Sequence, residues 1–339
     1  MNIRTLRLSF TALLLALGIA AQAQSETKLM TYNIKGHSMT DKRMGNIAKV
    51  IKYNMPDVVA LQEVDNRNYL GGKKDYIGML SKETGMHAQF HALVGTYYGI
   101  GILSKEKPLS VKFRTWERGE DSSDRENRGC IIAEFDNYYF ISTHYSLNDK
   151  DRDKATTDLI KFAKSAGKPV FIAGDFNAKP TYRAMVTFKN NGFKILNNTD
   201  EYTFPSDKPE SCIDMVIYYD STASYEFKVT ESGIALSNGV NINDESVTSD
   251  HLPVFVELSY ATGISQTATA ATGITIASGN ITNHGAQKAN VEVYTTSGQK
   301  TFACTLAPNE KQTLSLPKGM YIVRATNGKG VTNGKVLIN

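Results

Sequence analysis

The chain has 339 residues, which suits roughly two domains at about 150 residues each, and its 41% hydrophobic and 21% charged content is ordinary for a globular protein. Its formal net charge of +4 is unevenly spread: the first 23 residues carry two basic and no acidic side chains, the segment from Ile276 onward carries seven basic against two acidic, and the body between them sits at −3. These figures exclude a disordered or fibrous chain, and a mildly acidic body argues against a stable nucleic-acid partner, since affinity for the duplex backbone comes from neutralising phosphates with a basic face.

In chain order, Arg4 and Arg7 precede an apolar stretch over 10–20 and the small-residue site Ala21-Gln22-Ala23. That pattern predicts a secretory signal peptide over 1–23; the apolar run is too short for a helix across a bilayer core of about 30 Å. A strand-like run over 28–34 carries Asn33 at its end. A helical pattern over 44–53 places Ile47, Val50 and Ile51 on one face and is stopped by Pro56. Val58 to Leu61 reads as a short buried strand with Gln62 and Glu63 at its exit. A second helix is expected from Asp75 to about Thr84, halted by Gly85. Strands follow over 100–103, 130–135 and 139–143, the last leading into His144. Asn148 or Asp149 caps a helix to Ala166, closed by Gly167. Then come a strand over 170–173 running into Gly174-Asp175-Phe176-Asn177, a helix near 181–190, and strands over 213–219, 227–230 and 253–258. The last is preceded by Ser249-Asp250-His251. Irregular alternation with locally paired strands predicts an α+β sandwich of mixed sheets for residues 24–260.

After Tyr260 the composition shifts to Ala, Thr, Gly and Ser, a low-complexity linker over 261–277. Residues 278–339 read as a small all-β module with strands over 289–295, 300–306, 311–316, 320–324 and 331–337, separated by turn residues. It contains no Asp and one histidine, His284, and no catalytic constellation. Three cysteines, Cys130, Cys212 and Cys304, are too few and scattered for a disulfide framework. Cys130 and Cys212 open strand-like runs and read as buried free thiols.

Polar clusters at the ends of apolar strands suit a hard cation and a phosphate ester. Mg²⁺ takes oxygen ligands and keeps several waters, so one or two carboxylates suffice; Glu63 is the natural primary ligand, with Asn33 and Asp250 as further candidates. Gly174 lets the backbone turn at the strand end, and alternation places Asp175 and Asn177 on the same side, where they can orient a water and remove its proton. An Asx-type turn explains the same four residues equally well. His144 and His251 are candidate donors to a phosphoryl oxygen, and Asp214 could fix the tautomer of one imidazole and keep it protonated. His37, His87, His91 and His284 read as ordinary surface or core residues. Tyr97, Tyr98 and Trp116 are weak candidates for substrate contact.

Taken together, Tyr32-Asn33-Ile34, Leu61-Gln62-Glu63-Val64, the run Tyr98 to Ser104, Asn127-Arg128-Gly129, Ser142-Thr143-His144, Gly174-Asp175-Phe176-Asn177, Ile213-Asp214 and Ser249-Asp250-His251 resemble the endonuclease/exonuclease/phosphatase (DNase I-like) superfamily, in that family's order. The resemblance implies a four-layer α/β/β/α sandwich with its site where the two sheets open. It implies Mg²⁺ or Mn²⁺ at Glu63, Asn33 and Asp250, Asp175 as the base activating water, and Asn177 as its positioner. His251, polarised by Asp214 or Asp250, and His144 would bind the phosphoryl group, with Arg128 supporting the site or the phosphate. One departure is Lys35, where abasic-site nucleases carry an acidic residue. The segment from Ile47 to Asp65 is closer to the exported sphingomyelinase-like and GPI-anchor-lipid-remodelling-like branch. The expected substrate is therefore a phosphodiester or phosphomonoester of a lipid head group, a polyol phosphate or scavenged nucleic acid. The rival is a surface-binding protein with an inactive catalytic domain. In the tail, Val291 to Gly298 and Leu316 to Arg324 resemble the C-terminal sorting domain of type IX secretion substrates. That implies engagement of the secretion machinery and export to the periplasm, cell surface or medium.

Overall fold

The structure, a computed structural model, describes residues 24–66, 75–220, 225–262, 272–277, 280–295, 298–317 and 319–338. The signal segment expected over 1–23 lies outside them. The chain divides into two compact units, 24–264 and a C-terminal unit beginning at 265.

The larger unit starts with β1 (Gln24–Asn33), α1 (Asp41–Asn54), β2 (Val58–Asp65), α2 (Tyr76–Thr84), β3 (His87–Val94) and β4 (Tyr98–Ser104). It continues through β5 (Ser110–Trp116), β6 (Arg128–Glu134), β7 (Tyr139–His144), α3 (Asp149–Ser165), β8 (Val170–Asp175) and α4 (Arg183–Asn190). It ends with β9 (Lys194–Ile195), β10 (Asp214–Tyr219), β11 (Tyr225–Ile234) and β12 (Val254–Thr262). One sheet has the order β11-β12-β1-β2-β4-β3 and the other β5-β6-β7-β8-β10-β9. The period-two pleat sorts the side chains. In β2, Val58 and Ala60 join Leu29, Phe140, Phe171 and Val216 in the core between the sheets, whereas Val59 and Leu61 face Ile47, Ile51 and Leu80 of α1 and α2. In β8, Val170 and Ile172 pack against Leu159 and Phe188 of α3 and α4. The result is the expected α/β/β/α sandwich.

Asn148 is the cap of α3, one of the two expected, and α1 begins three residues before the expected 44 because Thr40 caps it. Thr40 accepts from the Arg43 N–H, Asp75 from Gly78 and Asn148 from Lys150 and Asp151. In this unit the strands absent from the sequence reading, β3, β5 and β9, are all sheet edges. Edge strands are only partly covered and carry a weaker apolar pattern. Cys130, Cys212 and Cys304 are all free thiols, the first two buried.

Two expectations need correction. Gly174 does not turn the chain: it lies inside β8, and a Cβ there would fall 2.1 Å from the Thr143 carbonyl oxygen of β7. Its smallness serves the close approach of the two strands. The linker over 261–277 is also shorter than expected, since β12 pairs through Thr262 and Ile274–Ala277 is a strand, β13. Repeated small polar residues masked that strand.

The second unit contains β13, β14 (Asn280–Asn283), β15 (Ala289–Thr295), β16 (Lys300–Leu306), β17 (Lys311–Thr313), β18 (Gly319–Asn327) and β19 (Gly330–Ile338). They form the sheets β13-β14-β17 and β16-β15-β18-β19 around Ile276, Ile281, Val291, Val293, Leu306 and Val323. Among the described residues, no helix is long and apolar enough to cross a membrane.

Candidate active site

Strand direction gathers the polar clusters at one rim. β1 and β2 run parallel, as do β7 and β8, so Asn33, Glu63, His144 and Asp175 lie at equivalent ends. β6, β10 and β12 run antiparallel to β7, β8 and β1, so Arg128, Asp214 and His251, at or just before their starts, reach the same end. Pleat parity does the rest. Asn33 shares a face with Leu29, His144 with Phe140, Asp175 with Phe171 and Asp214 with Val216, all residues of the inter-sheet core. Glu63 is the exception: parity would send it towards α1 with Leu61. A bulge between Leu61 and Val64 and a left-handed backbone at Glu63 (φ 56) break the alternation. Gly36 permits this, since a Cβ on it would fall 1.9 Å from the Glu63 carbonyl oxygen.

The Asn33 amide is the hub. Its Nδ2 donates to Glu63 Oε1 and Asp175 Oδ2, each at 3.1 Å, and lies 3.5 Å from His251 Nε2. Its Oδ1 accepts from the Lys35 N–H at 3.1 Å, so the amide orientation follows from its partners. Asp175 Oδ1 accepts from the Asn177 N–H at 2.8 Å, an Asx-type turn with Asn177 at φ 45. The turn leaves both side chains at the same rim, Asp175 beside Asn33 and Asn177 beside His144. Asn177 Nδ2 donates to the Tyr145 carbonyl at 2.9 Å and lies 3.3 Å from His144 Nε2.

His251 Nδ1 donates to Asp214 Oδ2 at 2.9 Å, and its Nε2 faces Asp175 Oδ2 at 3.8 Å. Burial opposes charge on this imidazole, but Asp214 and Asp175 more than reverse that and raise its pKa to about 10. Burial raises the Asp175 carboxyl, with His251 opposing and Asp214 adding to the shift. Burial, reinforced by the Arg128 cation, lowers His144 to about 3. Arg128 Nη1 approaches His144 Nδ1 at 3.0 Å; a guanidinium only donates, so His144 is neutral with its hydrogen on Nε2. Arg128 is itself held by Asp124 (Nε–Oδ2 2.9 Å) and Glu126 (3.0 Å). It orients His144 with its charge already balanced.

Glu63 fits a hard cation. Burial disfavours its charge, yet His37, Asn33 and Tyr98 hold its carboxyl well below the ordinary range. It faces the inner space with a 19% exposed side chain. Asn33 stands beside it, but Asp250 does not join them: its Oδ2 is taken by Lys35 Nζ at 3.0 Å. Asp175, Asp214 and His251 place ligand atoms within 4.8 Å of one another and could hold an ion. Their geometry is that of a hydrogen-bonded Asp–His pair facing a carboxylate, and an ion there would have to displace the shared proton.

Several participants were not legible in the sequence. Thr203 Oγ1 donates to Asp214 Oδ2 at 2.6 Å, and the Phe204 ring lies 4.6 Å from the His251 ring. Asp124 anchors Arg128, and His37 Nδ1 stands 3.6 Å from Glu63 Oε2. Tyr98 reaches Glu63, whereas Trp116 is buried away from it and donates to Asp158 at 3.0 Å. For His37 the only signal was nearness to Asn33 in sequence.

Residues 30–251 match the model of the Endonuclease/Exonuclease/phosphatase family. The chain belongs to that family. Its members are phosphatases and nucleases that hydrolyse phosphoesters. An endonuclease/exonuclease/phosphatase of Bacteroides vulgatus superposes with a TM-score of 0.57 at 16% identity, covering 69% of this chain and 98% of the other. A mannosyl-6-phosphatase of Bacteroides thetaiotaomicron gives 0.54 at 19%, covering 68% and 99%. These likenesses establish the fold. Recombination repair protein 1 of Drosophila melanogaster is 24% identical over 184 residues, 52% of this chain but only 26% of that protein. Residues 271–339 match the Secretion system C-terminal sorting domain.

Proposed function

We propose that the chain is an exported, divalent-metal-dependent phosphoesterase acting on small phosphoesters such as a polyol phosphate or a lipid head group. The observation that carries this reading is the Asn33 amide touching Glu63 and Asp175 together, with the protonated His251 beside them. Glu63 would hold Mg²⁺ or Mn²⁺, its carboxylate oriented by the Asn33 amide, which turns its NH2 rather than its Oδ1 to it. When bound, such an ion neutralises phosphoryl charge and lowers the pKa of a coordinated water.

The chain's own residues supply the rest. Asp175 takes the proton of the attacking water, whose oxygen forms the new bond to phosphorus in line with the departing P–O bond. The released oxygen is protonated from solvent. Asn177, rigidified by Tyr145, positions the water. Nε2–H of His251, held by Asp214, and Nε2–H of His144, held by Arg128, donate to the non-bridging oxygens as negative charge develops. The acidic body disfavours long nucleic acid, and a sugar phosphatase among the structural neighbours is consistent with small substrates. Export follows from the C-terminal match to a sorting domain. Hydrolysis of sphingomyelin, an inositol phosphate, a sugar phosphate and plasmid DNA by the full chain tests the reading. EDTA-sensitive turnover of a small phosphoester is expected; preference for DNA would replace the substrate class.

A further inference from the structure

Lys35 follows Asn33 by two residues and has a left-handed backbone, φ 49 and ψ 54, a conformation that a lysine keeps only where its surroundings hold it. Its N–H is fixed on Asn33 Oδ1. Its ammonium is turned to two carboxylates, Glu245 Oε2 at 2.6 Å and Asp250 Oδ2 at 3.0 Å. Asp250 is equally constrained, since its carbonyl accepts from the Ser206 N–H at 2.7 Å and its neighbours Ser249 and His251 are buried. The side chains of Lys35 and Asp250 are 19% and 26% exposed, so the pair is partly withdrawn from water and screening.

The rim thus has four carboxylate groupings open to comparison as seats for a divalent ion, and one of them, Asp124 with Glu126, is taken by the Arg128 guanidinium. Glu63 is open to an ion: the Asn33 amide, the Tyr98 phenol and the exposed His37 donate to it, with the His144 imidazole nearby, and no Lys or Arg ion pair to it is found among the described residues. Asp175 and Asp214 share the His251 imidazole. Asp250 is already paired with an ammonium, which it shares with Glu245. A divalent ion approaching Asp250 would meet that ammonium at contact distance and would have to break both of its ion pairs.

We propose that the Lys35 ammonium is a built-in cation that satisfies Asp250 and restricts the site to a single divalent ion at Glu63. This rests on the metal-dependent reading above and narrows it to a one-ion site.

The test is to count Mn²⁺ bound to the full chain by calorimetry and electron paramagnetic resonance. The parent is expected to bind one ion, and Lys35→Met, checked for folding by circular dichroism, two. Two ions on the parent, or one on a folded Lys35→Met, overturns the proposal. Should Lys35→Met not fold, Asp250→Asn decides. Its Mn²⁺ dissociation constant should stay within about threefold of the parent's, while a rise of about tenfold or more, the scale of a lost ligand or its support, makes Asp250 a ligand. No Mn²⁺ binding at all removes the metal-dependent reading itself, and the proposal with it.

Discussion

Thr203 and His251 converge on one oxygen of Asp214: the Thr203 hydroxyl donates to Oδ2 at 2.6 Å and His251 Nδ1 at 2.9 Å. Thr203 Oγ1 also accepts from the Ile213 and Asp214 N–H groups at 3.2 and 3.3 Å. The loop holding Thr203 is closed by the Phe204–Ser211 bridge. Thr203 is therefore a positioning residue for the imidazole. Thr203→Val keeps the shape and removes the hydroxyl. A hydrogen bond to a charged group contributes about 1.5–3 kcal/mol, so kcat/KM should fall about 10- to 100-fold, and the alkaline limb of the pH profile should move. An unchanged pH profile would reduce Thr203 to a packing residue.

Asp175→Asn should lower kcat by about 10²–10⁴-fold, the usual contribution of a general base. The amide still accepts from the Asn177 N–H, so the fold should persist. Its melting temperature should shift by no more than about 4 °C, the scale of ~1 kcal/mol in a domain of this size. A mild kinetic effect would show that another group takes the proton.

The pH dependence has a predicted sign on both sides. Asp175 must be ionised to act, and burial raises its carboxyl, so the acid limb should lie above the ordinary carboxylate range. His251 must be protonated, and its pKa is raised to about 10, so activity should persist to alkaline pH and fall as this proton leaves. Asp214→Asn removes the leading charge that raises His251, so its alkaline limb should move to lower pH. A limb that stays in place would separate His251 from the profile.

Glu63→Gln preserves size and removes the charge. Mn²⁺ affinity should collapse in calorimetric titration, and EDTA should silence the parent reversibly. Metal binding unchanged in Glu63→Gln would move the ion elsewhere, with the Asp175, Asp214 and His251 group the alternative.

Much of this was legible in the sequence because the pleat that fills the inter-sheet core also fixes the facing of Asn33, His144, Asp175 and Asp214 at the strand ends. Glu63 was a candidate by residue type, but its facing depends on a bulge and a positive φ that no alternation foretells. Lys35 reaches Glu245 and Asp250, more than 200 residues away in sequence. Thr203 finds Asp214 only because an irregular loop folds back. Such contacts come from tertiary closure, as does the pairing of the edge strands β3 and β5.

The most direct test of the central claim is Mg²⁺-dependent hydrolysis of a sugar phosphate, an inositol phosphate and sphingomyelin by the full chain beside Asp175→Asn. The account predicts EDTA-sensitive turnover of at least one of them by the parent and its loss, by about 10²-fold or more, in the variant. Equal turnover by the two proteins, or none by a folded, metal-loaded parent, would contradict it.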